Sequence, residues 1–262
     1  ILQKESAFTP IEEKNAIKIY KNFNDKSIST KISVYSRSQK NILIKSKIAD
    51  KKQIIVNGCP RSDYSFKLRK IKPKKNIIVY YLIEKKRGSI LFAKKSQFNW
   101  NSLYEKTLKF LLEYLKSNED VKLILKGKTG VHNNLQNSKF LSSNCIFING
   151  GTGESLLKDA KVVIAFNTTI VFEAIASNRN LIIPNFNHEN IKMKDKIHKI
   201  ENTNYFANSK LDFFRKLDSY LRAGYKNRKL IKSEKKILEY YQGNIDGKSG
   251  KRLDKFLSQT IR

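Results

Sequence analysis

The stretch from Lys161 to Pro184, KVVIAFNTTIVFEAIASNRNLIIP, limits the possible folds more than any other part of this chain. Val162 to Phe166 is a continuous apolar run, as expected of a strand buried on both faces. Asn167, Thr168 and Thr169 break the run with small polar groups. Ile170 to Ser177 then has helical spacing, with Val171, Ala174 and Ile175 on one stripe and Glu173 off it. Leu181 to Ile183 is a second buried strand, stopped by Pro184. Strand, polar turn, short helix and strand make a βαβ unit of a parallel sheet. In such sheets ligands bind beyond the carboxyl ends of the strands. Thr168 and Thr169 fall there, at a helix start, where backbone N–H groups and the helix dipole favour a phosphate. Glu173 lies one turn further on, placed to accept a bond from a ribose hydroxyl. The same residues also suit a plain helix cap and a dipole-complementing acid, and the pattern alone does not choose between the two.

The rest of the chain repeats the alternation. Strands are predicted at Ile32–Tyr35, Gln53–Asn57, Ile77–Ile83, Val121–Leu125 and Cys145–Ile148. Helices are predicted at Ile11–Asn22, Ser38–Ile48, Trp100–Lys116, Gly153–Asp159, Lys210–Arg222 and Lys229–Tyr241, with a last one inside Gly243–Arg262. Lys67–Lys75, which contains Pro73, reads as a linker. Asn185–Asn204 reads as a polar loop whose His188 and His198 are exposed. The five strands from Ile77 to Ile183 are expected to form one parallel sheet with helices on both faces.

A chain of 262 residues with 40% hydrophobic content can build one large core or two modest ones. No apolar run approaches the ~20 residues that span a bilayer. Cys59 and Cys145 are isolated, without zinc-ligand spacing, which suits a reducing cytoplasm. The chain opens on Ile1 with no signal-peptide pattern and reads as a fragment. Its net charge is +30, from 53 Lys and Arg against 23 Asp and Glu. That balance points to nucleic acid or an anionic membrane. The excess is mostly Lys, accompanied by much Ile and Asn, a pattern that an AT-rich coding bias also produces. Two basic clusters stand out, KLRKIKPKK at 67–75 and KNRKLIKSEKK at 226–236. Apart from Phe66 and Tyr225 at their edges they lack aromatic residues, which argues against a specific nucleic-acid role. Between the two partners, anionic lipid fits better, and coding bias alone stands as the other reading.

The turn KGKTG at 126–130 follows a strand but lacks the GxxxxGK[ST] pattern of a P-loop. Its glycines and Lys126 and Lys128 suit either an anion site or a simple basic turn. Gly150-Gly151-Thr152-Gly153 lacks GxGxxG and reads as a tight turn before a short helix. No GxSxG, HExxH or paired-acid signature is present, and the histidines lack metal-ligand spacing. Arg61 and Asp63 follow Gly58 and Pro60 at a strand end. They either face a cleft or form an ion pair that fixes the turn.

Taken together, Lys4-Glu5, VYSRSQKNILI, GCPRSDYSF, LKGK, LLKDAKVVIAFNTTIVFEAIASNRNLIIP and GNIDGKSGKRLDKFL resemble bacterial GT-B glycosyltransferases of surface-polysaccharide synthesis. The resemblance is to the retaining sugar-acid (Kdo-type) and capsule transferases. Their Gly-x-Pro-Arg-x-Asp element is matched at Gly58 to Asp63. Their Ser/Thr pair followed by Glu-Ala is matched by Thr168, Thr169, Glu173 and Ala174. Their basic turn, often Lys-Pro-His-Pro, is here Lys126-Gly127-Lys128-Thr129.

The resemblance implies an α/β, GT-B-like fold lacking part of its first half. Residues 1–72 would close an acceptor-side Rossmann-like domain and 73–242 would form the nucleotide-sugar domain. Residues 243–262 would supply a helix packing back on the first. It implies transfer of a sugar from a nucleotide-sugar, CMP- or UDP-linked, to a surface polysaccharide or glycolipid, with no metal and no resident cofactor. Glu5 and Arg61 are the catalytic candidates. Lys126, Lys128, Thr168 and Thr169 would hold the donor phosphate, and Glu173 the ribose. The expected place is the cytoplasm, peripheral to the inner membrane, with no specific nucleic-acid partner. A UDP-sugar 2-epimerase or a polyol-phosphate transferase of related fold is the alternative. A non-catalytic basic nucleic-acid-binding protein is the alternative of another class.

Overall fold

The computed structural model describes residues 8–22, 26–83, 100–128, 132–186, 198–200 and 203–260 of the 262. The first described segments form a small layer. Helix α1 (Pro10–Asn22) follows Thr9, whose N–H and hydroxyl both donate to Glu12 Oε2 at 2.8 Å. Strand β1 (Ile32–Val34), helix α2 (Arg37–Lys45) and strand β2 (Ile54–Val56) make one βαβ unit, the two strands pairing in parallel. Ser36 caps α2 by accepting from Gln39 N–H. Ile32, Val34, Leu43, Ala49 and Ile54 form a small core of their own.

Helix α3 (Pro60–Lys67) follows directly. The sequence reading places a turn here, because Gly58 and Pro60 look like a stop. Pro at the first helical position is instead a helix start, since its missing N–H has no partner to lose there. The expected linker at 67–75 is also corrected. Leu68–Lys70 is a 3-10 turn in which Leu68 and Arg69 are buried.

The main sheet has six strands: β3 (Ile77–Tyr81), β4 (Lys122–Lys126), β5 (Cys145–Ile148), β6 (Val162–Ile164), β7 (Asn180–Pro184) and β8 (Phe206–Ala207). Every neighbouring pair is parallel, as expected for the five strands from Ile77 to Ile183. The order across the sheet is β5-β4-β3-β6-β7-β8. The chain winds outward from β3 to β5, then returns to β3's other side and winds outward again. This is a doubly wound sheet, and its winding reverses between β3 and β6. Ile78, Val79 and Tyr80 are wholly buried, as are Val162, Val163 and Ile164. Successive strand residues point to opposite faces, so both faces are covered.

Helices α4 (Trp100–Lys116) and α6 (Lys210–Arg222) lie together. Tyr114 donates to Asp218 at 2.6 Å, and the Phe110 and Phe214 rings meet edge to face. Helix α5 (Ile170–Ala176), between β6 and β7, packs instead with α3 and with α7 (Lys232–Gln242). The last helix, α8 (Ser249–Thr260), packs on α3, and Asp63 accepts from the Ser249 and Gly250 N–H groups at 3.0 and 2.9 Å. Asp63 is therefore a cap for α8 and not the partner of Arg61, which bonds Glu173.

The chain passes between the small layer and the main sheet near Gly58 and again near Gly243. Cys59 N–H donates to Gln242 O at 2.9 Å, and Ser62 Oγ to Gln242 Oε1 at 2.6 Å. Both glycines have positive φ, +85° and +79°, and the two backbones touch. A Cβ on Gly243 would lie 2.1 Å from Tyr35 O and 2.7 Å from Gly58 Cα. Only glycine fits this crossing.

Candidate functional site

The reversal of strand order leaves a crevice beyond the carboxyl ends of β3 and β6, because the connections leave these neighbours in opposite directions. Ala165 and Phe166 continue β6 as buried residues, then Asn167 turns the chain with φ 50°. Asn tolerates this left-handed conformation better than other side chains, and here its Oδ1 accepts from His198 N–H at 3.2 Å. Thr168 and Thr169 follow, half-buried, and lead into α5.

Thr169 occupies the cap position, but its backbone is already helical (φ −60°, ψ −26°) and its hydroxyl makes no capping bond. The hydroxyl instead accepts from Arg61 NH2 at 3.3 Å. The same nitrogen donates to Glu173 Oε1 at 2.9 Å. Arg61 is the second residue of α3, so two short helices 108 residues apart are joined at this point. The Glu173 side chain is 1% exposed and that of Arg61 is 39% exposed. A buried carboxylate thus holds a cation at the rim of the crevice.

The facing wall comes from β3 and from the loop after β5. Tyr81, the last residue of β3, donates its hydroxyl to Gly153 O at 2.6 Å. Its phenol is pushed far up by burial, and further by the nearness of Glu173 and Glu154, so it stays a neutral donor. Gly153 is fixed by close approach, since a Cβ there would lie 3.1 Å from Ile170 Cδ1 and 3.3 Å from Tyr81 Cε1. The Gly150–Gly153 turn, read from sequence as a plain tight turn, therefore sits against the start of α5 and the end of β3.

The basic turn after β4 differs from expectation in its details. Lys126 is buried and its ammonium donates to Gly127 O at 3.0 Å and to Gly150 O. Burial also lowers its pKa. These bonds tie the ends of β4 and β5 together and turn the Lys126 charge onto main-chain carbonyls. Lys128 is exposed, and its N–H donates to His132 Nδ1 at 3.2 Å. With Nδ1 accepting, Nε2 carries the proton and faces Ile83 O at 3.3 Å. His132 is 2% exposed and stacks with Tyr104. Sequence reasoning passed over His132. The signal was a histidine closing the basic turn beyond a strand end.

His198 corrects another expectation. It is buried, not exposed, with its ring 4.9 Å from that of Phe172 and 5.3 Å from that of Tyr241. Glu5 and His188 lie outside the described residues. Among the described residues no group of three or more His, Cys, Asp or Glu is arranged to hold a metal ion, and no helix is long and apolar enough to cross a membrane.

Comparison with known proteins bears on the fold. No family model matches the chain, and no match is found among curated proteins. Among solved structures the chain is similar to the wall teichoic acid polymerase TagF, with TM-score 0.57 and 13% identity over 88% of this chain and 58% of that one. It is similar also to that polymerase soaked with CDPG, with TM-score 0.57 and 14% identity over 99% of this chain and 62% of that one. A third similar structure is a putative UDP-N-acetylglucosamine 2-epimerase from Listeria monocytogenes, with TM-score 0.51 and 11% identity over 89% and 60% of the two chains. The chain thus spans less than two thirds of each of these structures. The fold is α/β and GT-B-like, with a doubly wound sheet whose winding reverses at the crevice described here.

Proposed function

We propose that the chain is the donor-binding part of a transferase that moves a sugar from a nucleotide-sugar, CMP- or UDP-linked, to a surface glycan or glycolipid. The carrying observation is the placement of Arg61. Glu173 and Thr169 hold its guanidinium at the start of α5, beyond the end of β6 where the strand order reverses. A donor phosphate entering there meets a cation that is already oriented, and pre-orientation is what stabilises charge on a departing phosphate. Arg suits this task through its planar set of donors. The Thr169 hydroxyl lies within bonding distance of the same guanidinium, and Thr168 precedes it in the turn.

In this reading Glu173 positions Arg61 and does not grip a ribose, because its Oε1 already receives the guanidinium. Lys126 shapes the loop and Lys128 remains an outer cation. The acceptor and any general base, including Glu5, belong to parts of the molecule beyond the described residues. The reaction as proposed draws on no metal ion.

The likeness to a wall teichoic acid polymerase favours a second reading, transfer of an activated polyol phosphate into the same crevice. Calorimetric titration of CMP, CDP, UDP and GDP, followed by turnover with the matching activated donors, separates the two. Nucleotide binding that falls at least tenfold in Arg61→Ala supports the site. A sugar donor consumed by hydrolysis or transfer supports the first reading, and a polyol donor alone supports the second. Unchanged affinity in Arg61→Ala would remove the basis of both.

A further inference from the structure

The two basic runs of the sequence are far apart along the chain, yet the fold builds one surface from them. Arg69, in the 3-10 turn after α3, donates to Arg228 O, and Tyr225 donates to Arg69 O. Asn178, at the end of α5, donates to Lys226 O at 2.8 Å. The turn at 68–70 and the segment 225–228 therefore lie side by side. Lys67, Lys70, Lys72 and Lys75 are exposed on one, and Lys226, Lys229 and Lys232 on the other.

The sequence has no Asp or Glu from 67 to 75 or from 219 to 233. Asp159 pairs with Lys74 at 2.9 Å. Glu234 is buried and takes both arms of Arg228 at 2.7 and 2.6 Å. Lys161, beneath the patch, feels the concentration of charge. Its ammonium is pushed down first by burial and then by Lys75 and Lys72. Apolar side chains stand out among the lysines, Ile71 at 38% exposed and Ile231 at 49%.

We infer that this surface docks the chain on an anionic lipid bilayer. Clustered lysines are drawn to an anionic leaflet, and their stems can lie along the interface with the charge upward. Exposed isoleucines between them have a place in the acyl boundary. A single-stranded nucleic acid would be served by aromatic stacking, which isoleucine does not supply. The placement also relates to the crevice. Arg69 donates to Ile175 O and Ala176 O at the last turn of α5, while Arg61 sits at its first. A helix of seven residues is roughly 10 Å long, so a docked bilayer lies near the crevice mouth. The inference does not depend on what the crevice binds.

Flotation with vesicles of phosphatidylcholine alone, and of a two-to-one mixture with phosphatidylglycerol, tests it. Wild type should float with the anionic vesicles only. Joint replacement Lys70→Glu, Lys72→Glu, Lys226→Glu and Lys229→Glu should weaken binding at least tenfold. The same four-charge reversal on α1 and α4, at Lys18, Lys21, Lys109 and Lys116, should cost no more than about twofold in comparison. Equal losses in the two variants would overturn the proposal, since net charge alone would then explain binding. Ile71→Ser with Ile231→Ser, which leaves charge and the buried core untouched, should weaken binding several-fold, and unchanged binding would overturn docking by insertion. Patch reversal that abolishes binding of a random RNA and leaves vesicle binding intact would assign the surface to nucleic acid instead.

Discussion

The central strands β3 and β6 of the main sheet are packed from consecutive apolar and tyrosine residues, whereas the small layer interleaves apolar with polar groups. In β3 and β6 the only polar side-chain atoms among the buried residues are the hydroxyls of Tyr80 and Tyr81. In the small layer Ser33, Ser36, Ser38 and Gln39 are as buried as Ile32 and Val34. Each is tied down: Asn57 donates to Ser33 Oγ at 2.8 Å, Ser38 to Glu13 at 2.5 Å, and Tyr35 N–H to Gln39 Oε1 at 2.9 Å. Two strands of three residues cannot stand alone on so little apolar area. The layer leans on the far end of the chain, through Tyr240 donating to Glu13 at 2.9 Å and through the crossing at Gly58 and Gly243. The difference teaches that one core is held by burial and the other also by hydrogen bonds to a helix that arrives 180 to 227 residues later.

The sharpest way to break that comparison is Gly243→Val. It forces a side chain into backbone at the crossing and strains a positive φ, which together cost about 2–6 kcal/mol. Urea unfolding should show the loss. Amide exchange should accelerate in β1 and β2 well before β4 and β6. Equal acceleration everywhere would show the two cores to be one cooperative unit.

Next in size is Phe172→Ala on α5, where the ring is wholly buried and stacks 4.6 Å from that of Tyr241. Its loss should cost about 3–5 kcal/mol of global stability. Ile54→Ala in the small layer should fall near the lower end of the range for such truncations, about 2 kcal/mol, and should appear mainly as local opening. A larger loss from Ile54→Ala than from Phe172→Ala, measured by the same denaturation curves, would reverse the ranking of the cores.

Arg61→Ala tests the seam between α3 and α5. It takes the guanidinium away from the Glu173 carboxylate, which is 1% exposed, and should cost about 1–2 kcal/mol once the guanidinium's own exposure is allowed for. Glu173→Gln keeps a hydrogen-bond acceptor for Arg61 and should cost less. Thermal melts of the two variants side by side decide the order.

The smallest effect is in acid. Burial alone would raise the Glu234 carboxyl, but the bonds from Arg228, Tyr205 and Ile231 N–H outweigh it and hold the pKa below the usual value. A depressed folded pKa contributes stability above the unfolded value, about 4.3, and loses it as pH falls through the folded one. Stability should therefore decline below about pH 4, and Glu234→Gln should flatten that decline at the expense of stability at neutral pH. A variant curve parallel to wild type would remove Glu234 from the account.

Long periodic segments were legible in the sequence. Helices α4 and α6 and strand β5 fall where apolar spacing places them. The strand–NTT–helix unit that sets the crevice was legible too, because its strands are buried on both faces and its turn is polar. Helix α3 was not, since Gly58 and Pro60 signal a stop as strongly as a start. Strand β8, two residues long, carries no period at all. At the site, Thr168, Thr169 and Glu173 share one local unit and could be placed together. The meeting of Arg61 with Glu173 is a tertiary event that no local pattern encodes. Arg69 looked like one more charge in a linker; only its carbonyl partners on α5 and at Arg228 reveal a buried bolt.

Arg61 and Arg69 come from a single short segment, and they fasten opposite ends of the same helix. Arg179 adds a third fastening by donating to Leu68 O at 3.3 Å. Residues 60–70 and α5 are in effect one mechanical part, a splint lying across the junction of the two layers. Ahead of that splint the chain passes through Gly58, which is packed against Gly243 and the side chains of Ser249 and Arg252. Whatever moves Arg69 at the basic surface therefore acts on the last turn of the helix whose start is bonded to Arg61.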